Sequence, residues 1–501
     1  MQTSKHNFQL SNRYLILVGS ILIFILWIYF FWDYSIDDAF ITFRYAEHLA
    51  DGHGFVFNLI DKPVEGFSNI LWLLILSCCY KIGLPTYLSA KVLGLGAMFA
   101  SGLSWYFYYL NKKDSNLWLV APLFFCCPLV VFWGVSGLEL GLHCLLLSTM
   151  IQFGLKNSKW VYLPAMLLVL NRPEGIAISF ALFIILALSD YSNKKLQFRY
   201  YIVGIVILLI TFSLLTWFRY ATFGYPLPNT YYAKSHYNNY GYSELFSMLL
   251  RLAPLTIALL YGLFDSLKNR FKQKEITLFV GLFLLQALVS SSVDPVMNYM
   301  FRYLVAFLPL LILLAIYLLS QIKLPLIRYV ILATILVSFV TFAFPLQTIN
   351  ETNRKIIQAQ ENFISWLNQA PTTKTFSMID MGRIPYYTSH TFNDTWGLVD
   401  ADIGQKGFNP IFEFLQLPDF FVFVGHLNKD GSLKLKFGRD KMIVATPAFL
   451  QCYELEKALA PEGADIYSDG YYYLAFKKKR EANSIVNNLG VEFWQQKMLG
   501  K

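Results

Sequence analysis

Two adjacent carboxylates, Asp37 and Asp38, stand shortly before Arg44 in the segment DYSIDDAFITFRYAEHLADGHGFVFNLIDKPVEGFSN, which runs from Asp33 to Asn69. A carboxylate can take a proton from an attacking hydroxyl, and a guanidinium can grip two phosphate oxygens in a fork. The set therefore suits acid/base chemistry on a phosphate ester. It also leaves open a divalent cation, Mg, Mn or Ca, held by Asp37 and Asp38. The plainer alternative is that the two acids cap a helix start and face water.

The element that would carry these groups is legible in the spacing. At 100° per residue, Ile36, Ala39, Phe40, Phe43, Ala46 and Ala50 gather on one side, with Glu47 as a charged exception. Asp37, Arg44 and His48 form a stripe on the other side, beside Asp38 and Tyr45. This is the pattern of a helix lying flat on a membrane surface.

More ionisable residues stand at the ends of apolar runs: Glu139 in SGLE, Arg172 and Glu174 in NRPEG, Arg219 before FGYPLPNTYYAK, Asp294, and Arg302 in MFRYLVAFLP. A charge in hydrocarbon is costly, so each must face a polar cavity or a partner, for instance Arg172 with Glu139 or Glu174. The histidines show no metal-ligand spacing such as HExxH. Tyr231, Tyr232, Trp72 and Trp133 could stack on sugars or sit as interfacial belt residues.

These residues must be positioned by a membrane protein. The chain has 501 residues, 56% hydrophobic and only 15% charged, which is too apolar for a soluble protein of this size. About eleven apolar runs approach bilayer thickness, the first from Tyr14 to Trp32 and the last from 324 to 345. The net charge of +9 comes from Lys and Arg in short loops between these runs. That distribution reports orientation, not nucleic acid: it places the N-terminus in the cytoplasm and the first loop, 33–69, and the C-terminus on the other side. Ile70 to Gly83 is too short to cross and reads as a re-entrant or interfacial piece. Five of the six cysteines (Cys78, Cys79, Cys126, Cys127 and Cys144) lie in apolar segments, so no disulfide framework follows.

From Leu346 the composition turns polar, and residues 346–501 read as a soluble α/β or α+β domain after a membrane domain spanning 1–345. A polar helix is expected over Asn350 to Asn368. Strands are expected at Thr375 to Ile379, Phe420 to Val424, Met442 to Ala445 and Tyr471 to Phe476.

The first loop resembles the signature loop of the GT-C glycosyltransferases, and more closely the branch of the mycobacterial terminal β-arabinofuranosyltransferase. That branch carries DDAxIxxRYAxNLAxGxGxVFN followed by VEGxSxxLW, matched here from Asp37 to Asn58 and from Val64 to Trp72. Ser136 to Glu139, Arg172 to Gly175 and Phe223 to Lys234 match its later SGxE, RPEG and FGxxLPNTYYAK segments. Met378 to Gly404 is similar to its Asp-Gly and Asp-Gly-Leu-Asp motifs. SSVDPVMNYMFRY departs from its usual Gly-Gly-Asp-x-Met.

The resemblance implies a GT-C-like polytopic fold and an inverting transfer of sugar from a polyprenyl-phosphate donor to a hydroxyl of an envelope glycan or glycolipid. The site would lie at the outer face of a bacterial inner membrane. Asp37 would be the base, and Asp38 a second carboxylate. Arg44, Arg172 and Arg302 would contact the donor phosphate. His48, Glu65, Glu139, Glu174, Asn229, Tyr231, Tyr232, Lys234, Asp294, Asp380 and Asp394 would contact substrate. A transporter or flippase of lipid-linked sugars is the competing reading of the same cavity and charges. A receptor that binds through residues 346–501 is the third.

Overall fold

The computed structural model describes residues 2–110, 112, 116–235, 241–292, 298–461 and 463–498. Every apolar run expected to span folds as helix, but few reach full length. Among the described residues, five helices are long and apolar enough to cross a membrane: Asn12–Phe31, Gly175–Ser192, Phe198–Phe223, Lys274–Ser291 and Pro325–Leu367. Two bent pairs, Leu117–Cys126 with Pro128–Gly134 (65°) and Tyr242–Arg251 with Ala253–Lys268 (100°), raise the number to as many as seven. The chain is thus a multi-pass membrane protein, with five to seven such helices where about eleven spans were expected. Helices such as Leu140–Leu155, 16 residues long, cover only about 24 Å at 1.5 Å per residue. The first bend falls at Pro128, which has no N–H to continue the helix before it.

The segment Ile70–Lys81 is a 12-residue helix, about 18 Å long and too short to cross. It runs beside the loop helix Asp37–Ala50 in the same direction. Thr42 Oγ1 donates to Asn69 Oδ1 at 3.3 Å near one end, and Lys81 Nζ donates to the Ala50 carbonyl at 2.8 Å near the other.

Pro325–Leu367 is one continuous helix of 43 residues with Pro345 inside it. The change of composition at residues 345 and 346 therefore falls within a helix, not at a linker. Its polar half carries the C-terminal unit, a six-stranded mixed sheet: β1 (Thr375–Met378), β2 (Thr391–Asp394), β3 (Phe420–Leu427), β4 (Leu433–Leu435), β5 (Tyr453–Leu459) and β6 (Tyr472–Lys478). The order is β2-β1-β3-β6-β5, with β4 added to β3. β1 is parallel to β2 and β3, and the remaining pairs are antiparallel. One sheet face joins the core of the helical body through Phe363, whose ring stacks on Tyr473 at 5.5 Å. The other face has its own core around Phe421, Phe449 and Tyr453.

Met442 to Ala445, expected as strand, lies on the helix Gly438–Val444. Ile443 is buried while Met442 is exposed, and so short an apolar run fits either structure. β5 escaped notice because it is an edge strand carrying Glu454, Glu456 and Lys457, charges that discourage further pairing.

Candidate active site

The loop helix Asp37–Ala50 begins with both acids in its first turn, where carboxylates favour the helix dipole. It is not a surface helix with one wet side. Every residue from Ala39 to Ala46 is buried, because the helical body lies against one side and the C-terminal unit covers the other.

Asp37 is the junction between the two. Its Oδ2 accepts the Gly382 N–H at 3.0 Å, and its Oδ1 accepts the Arg383 N–H at 3.0 Å and Gln360 Nε2 at 2.9 Å. Gly382 has no substitute here, since a Cβ would collide with the Asp37 carbonyl and carboxylate. Burial pushes the Asp37 carboxyl above its ordinary value; the N–H donors oppose that, and the charge of Asp38 adds to it. Asp380, from the loop after β1, is the second acid at this junction. It accepts Tyr471 OH at 2.8 Å and Tyr473 OH at 2.8 Å. Burial first, and the charge of Asp37 next, push it up to about 7.

Asp38 faces the helical body. Its Oδ2 lies 3.2 Å from Arg302 Nη1. Arg302 is presented by a short turn in which Met300 and Phe301 both adopt left-handed backbone, at φ 46° and 61°. Two successive non-glycine residues in that region persist only where the surroundings hold them. Here Trp133 Nε1 bonds the Met300 carbonyl at 2.9 Å, and Asn298 Oδ1 accepts the Tyr303 N–H at 3.0 Å. Arg302 Nε is buried with no protein partner among the described residues.

Arg172 fulfils both ion-pair alternatives together. Nη1 pairs with Glu139, and Nε pairs with Glu174 at 2.6 Å. Asn69 Nδ2 donates to Glu139 Oε2 at 2.7 Å, tying the group to the first loop. Two carboxylates outweigh one guanidinium, so this cluster offers no spare positive charge and departs from the expected phosphate contact. Arg302 lies close enough to feel Glu139 and Arg172.

Arg44 departs further. Nε donates to the Phe57 carbonyl at 2.7 Å, Nη1 to those of Pro385 and Thr388, and Nη2 to that of His390 at 3.3 Å. Burial lowers it to about 10, which leaves it charged at neutral pH. It is a strut between the loop and the C-terminal unit, with its donors already spent on carbonyls.

Several other expected contacts are struts as well. His48 Nδ1 meets the Val56 carbonyl at 2.9 Å. Glu65 takes Arg219 Nε on both oxygens, at 3.0 and 2.9 Å. Asn229 Nδ2 donates to the carbonyls of Gly397, Leu398 and Asp400. Asp394 caps a turn by accepting the N–H groups of Trp396 and Val399. Tyr231 is exposed, its ring 5.6 Å from that of Tyr232, and Lys234 follows on the same short helix. Asp294 lies outside the described residues.

The carboxylate pair does not fit a divalent cation. Asp37 already accepts three N–H bonds and Asp38 faces a guanidinium. Among the described residues no three His, Cys, Asp or Glu converge for a metal ion. Sequence reasoning missed Gln360, Tyr471 and Tyr473, which have no signature apart from the contacts they make, and gave Gly382 no role beyond its place in the Met378 to Gly404 motif.

With this geometry in view, the chain is similar in structure to ArnT from Cupriavidus metallidurans. Against the apo crystal structure the TM-score is 0.58 at 12% identity, covering 93% of this chain and 98% of that one. Against the structure bound to undecaprenyl phosphate it is 0.55 at 12% identity, covering 92% and 97%. The likeness shows that the two proteins share a fold over nearly the whole chain. Residues 349–476 match a family described as a domain of unknown function (DUF8728). No curated protein matches in sequence.

Proposed function

We propose that the protein is a GT-C glycosyltransferase that moves a sugar from a polyprenyl-phosphate donor to an acceptor hydroxyl, inverting the anomeric centre. The site would face the outer side of a bacterial inner membrane, with the N-terminus cytoplasmic. Support comes from the fold shared with ArnT, which has been solved with undecaprenyl phosphate bound, and from the loop motifs that resemble this class. The observation that carries the reading is Arg302: a buried cation whose Nε has no partner among the described residues, held beside the acidic start of the loop helix.

The residues divide the work as follows. Negative charge develops on the departing phosphate, and a fixed guanidinium stabilises that charge more than it does the ground state. Asp38 orients Arg302 through their ion pair. Asp37 is the base: burial and the charge of Asp38 raise its proton affinity. The acceptor O–H gives its proton to Asp37, the oxygen forms the new glycosidic bond, and the old bond leaves with polyprenyl phosphate.

The test is release of free polyprenyl phosphate from synthetic polyprenyl-phosphoryl sugars, with and without envelope glycan acceptors. The sugar should be recovered on the acceptor. A transporter or flippase of the same lipids would bind the donor and form no glycosidic bond.

A further inference from the structure

Glu47 is the charged exception on the apolar side of the loop helix, and catalysis as described makes no use of it. It opens on a cleft of about 750 Å³ between the C-terminal half of that helix, the segment from Tyr80 to Leu88, and the C-terminal unit. This volume lies within the roughly 300–1,000 Å³ of small-molecule clefts. Four tyrosines, Tyr80, Tyr87, Tyr386 and Tyr387, line it with two carboxylates, Glu47 and Asp51. Tyr387 is 41% exposed although it belongs to a largely buried junction.

The chemistry of this lining is selective. Thr86 Oγ1 and Tyr386 OH both donate to Glu47 Oε1, so the second carboxylate oxygen is left to accept from a ligand. Tyr80 OH reaches Asp51 at 3.5 Å, and the lining cation, Lys81, donates to the Ala50 carbonyl. Acceptor oxygens beside flat aromatic faces suit a ligand rich in O–H donors with apolar C–H faces. They do not suit a phosphate.

The cleft also has a direction. At 100° per residue Phe40, Glu47 and Asp51 fall within about 40° of one another on the helix, with Asp37 at the edge of that stripe. Asp37 and Glu47 are separated by about 15 Å along the axis. Arg383 links Asp37 to the aromatic lining: its backbone N–H bonds Asp37, and its guanidinium lies 5.3 Å from the Phe40 ring and 5.2 Å from that of Tyr387.

We infer that this cleft binds an extended saccharide, the part of the acceptor that trails away from the reacting hydroxyl at Asp37. The identification of the bound saccharide as acceptor rests on the proposed transferase reading; its binding to the cleft does not. The site therefore selects a glycan chain over a single sugar.

The experiment is saturation-transfer NMR on the detergent-purified full chain, titrated with methyl glycosides and linear tetrasaccharides of arabinofuranose, galactose, mannose and rhamnose. At least one tetrasaccharide should bind, more tightly than its monosaccharide. Tyr387→Ala should weaken that binding by about tenfold, the loss of one stacked ring. Tyr387→Phe should keep it, and Glu47→Gln should weaken it. Tyr387 is exposed, so its variants fold even if those of Glu47 do not. Equal binding by wild type and Tyr387→Ala, or no binding by any tetrasaccharide, overturns the proposal. Asp37→Asn is titrated and assayed for transfer beside them. Transfer retained in that variant would remove the base and leave the cleft to stand on its binding data. Transfer lost there, with no saccharide bound by wild type, would remove the cleft alone.

Discussion

Asp38 and Arg302 lie 264 positions apart in the chain and meet at 3.2 Å, joining the head of the loop helix to a turn deep in the helical body. The Asp38 side chain keeps 41% of its exposure, while that of Arg302 keeps 11%. The pair therefore presents its carboxylate to solvent and its guanidinium to the protein interior, where a low dielectric strengthens any bond to phosphate.

Arg302→Gln should lower kcat/KM for transfer by about 10²- to 10³-fold, the usual loss on removing one preorganised donor. Water can solvate Asp38 in the variant, so the thermal midpoint should stay close to wild type. Arg302→Lys should recover only part of the activity, because an ammonium cannot reproduce the fork. Steady-state kinetics with thermal unfolding checks both; full activity in Arg302→Gln would exclude the phosphate role.

Arg44 should behave in the opposite way. Arg44→Ala leaves buried carbonyls of Phe57, Pro385, Thr388 and His390 without their donor, at a cost of about 3 kcal/mol. Arg44→Lys should not rescue it, since one ammonium cannot reach all four. The measurement is the thermal midpoint alongside donor KM in the folded fraction. A raised donor KM with unchanged stability would restore Arg44 to the phosphate site.

Gly382→Ala should break the contact between the loop helix and the C-terminal unit. The added methyl would displace Asp37, and such overpacking costs about 1–3 kcal/mol. Limited proteolysis should cut the C-terminal unit of the variant sooner, and transfer should fall together with stability.

The pH dependence has a defined sign. Asp380 is raised from 3.8 to about 7 by burial and by Asp37, so its ionised form is disfavoured in the folded state. That penalty is absent at low pH, grows as pH rises from near 3.8 towards 7, and is complete above it. Asp380→Asn should therefore flatten the fall of the thermal midpoint across this window, with the largest gain over wild type above neutral pH. A thermal midpoint with the same pH dependence in wild type and Asp380→Asn would mean that Asp380 carries no such penalty.

How far these features were legible depended on the range of the contacts behind them. The loop helix was readable because its period and its acidic start are local. The helical nature of the apolar runs was readable for the same reason. The partners of Arg44, Glu65 and Asn229 were not, because they lie far off in the chain: His390 is 346 positions from Arg44, and Arg219 is 154 from Glu65. Residue types that suit a phosphate also suit backbone carbonyls, and only the fold decides between them. Hydropathy reports burial in protein as readily as burial in lipid, so the apolar runs alone do not separate full spans from buried core helices. Val305–Gln321, for example, is apolar all round and packed inside the helical body.

The central claim is that Asp37 is the base of a sugar transfer from polyprenyl phosphate. The most direct measurement is acceptor-dependent release of polyprenyl phosphate by purified wild type beside Asp37→Asn, with both proteins shown to be folded and the sugar traced to the acceptor. Release and transfer by the wild type, with a fall of at least about 10²-fold in Asp37→Asn, is the expected result. Equal transfer by the two proteins, or donor binding without release in the wild type, would contradict it.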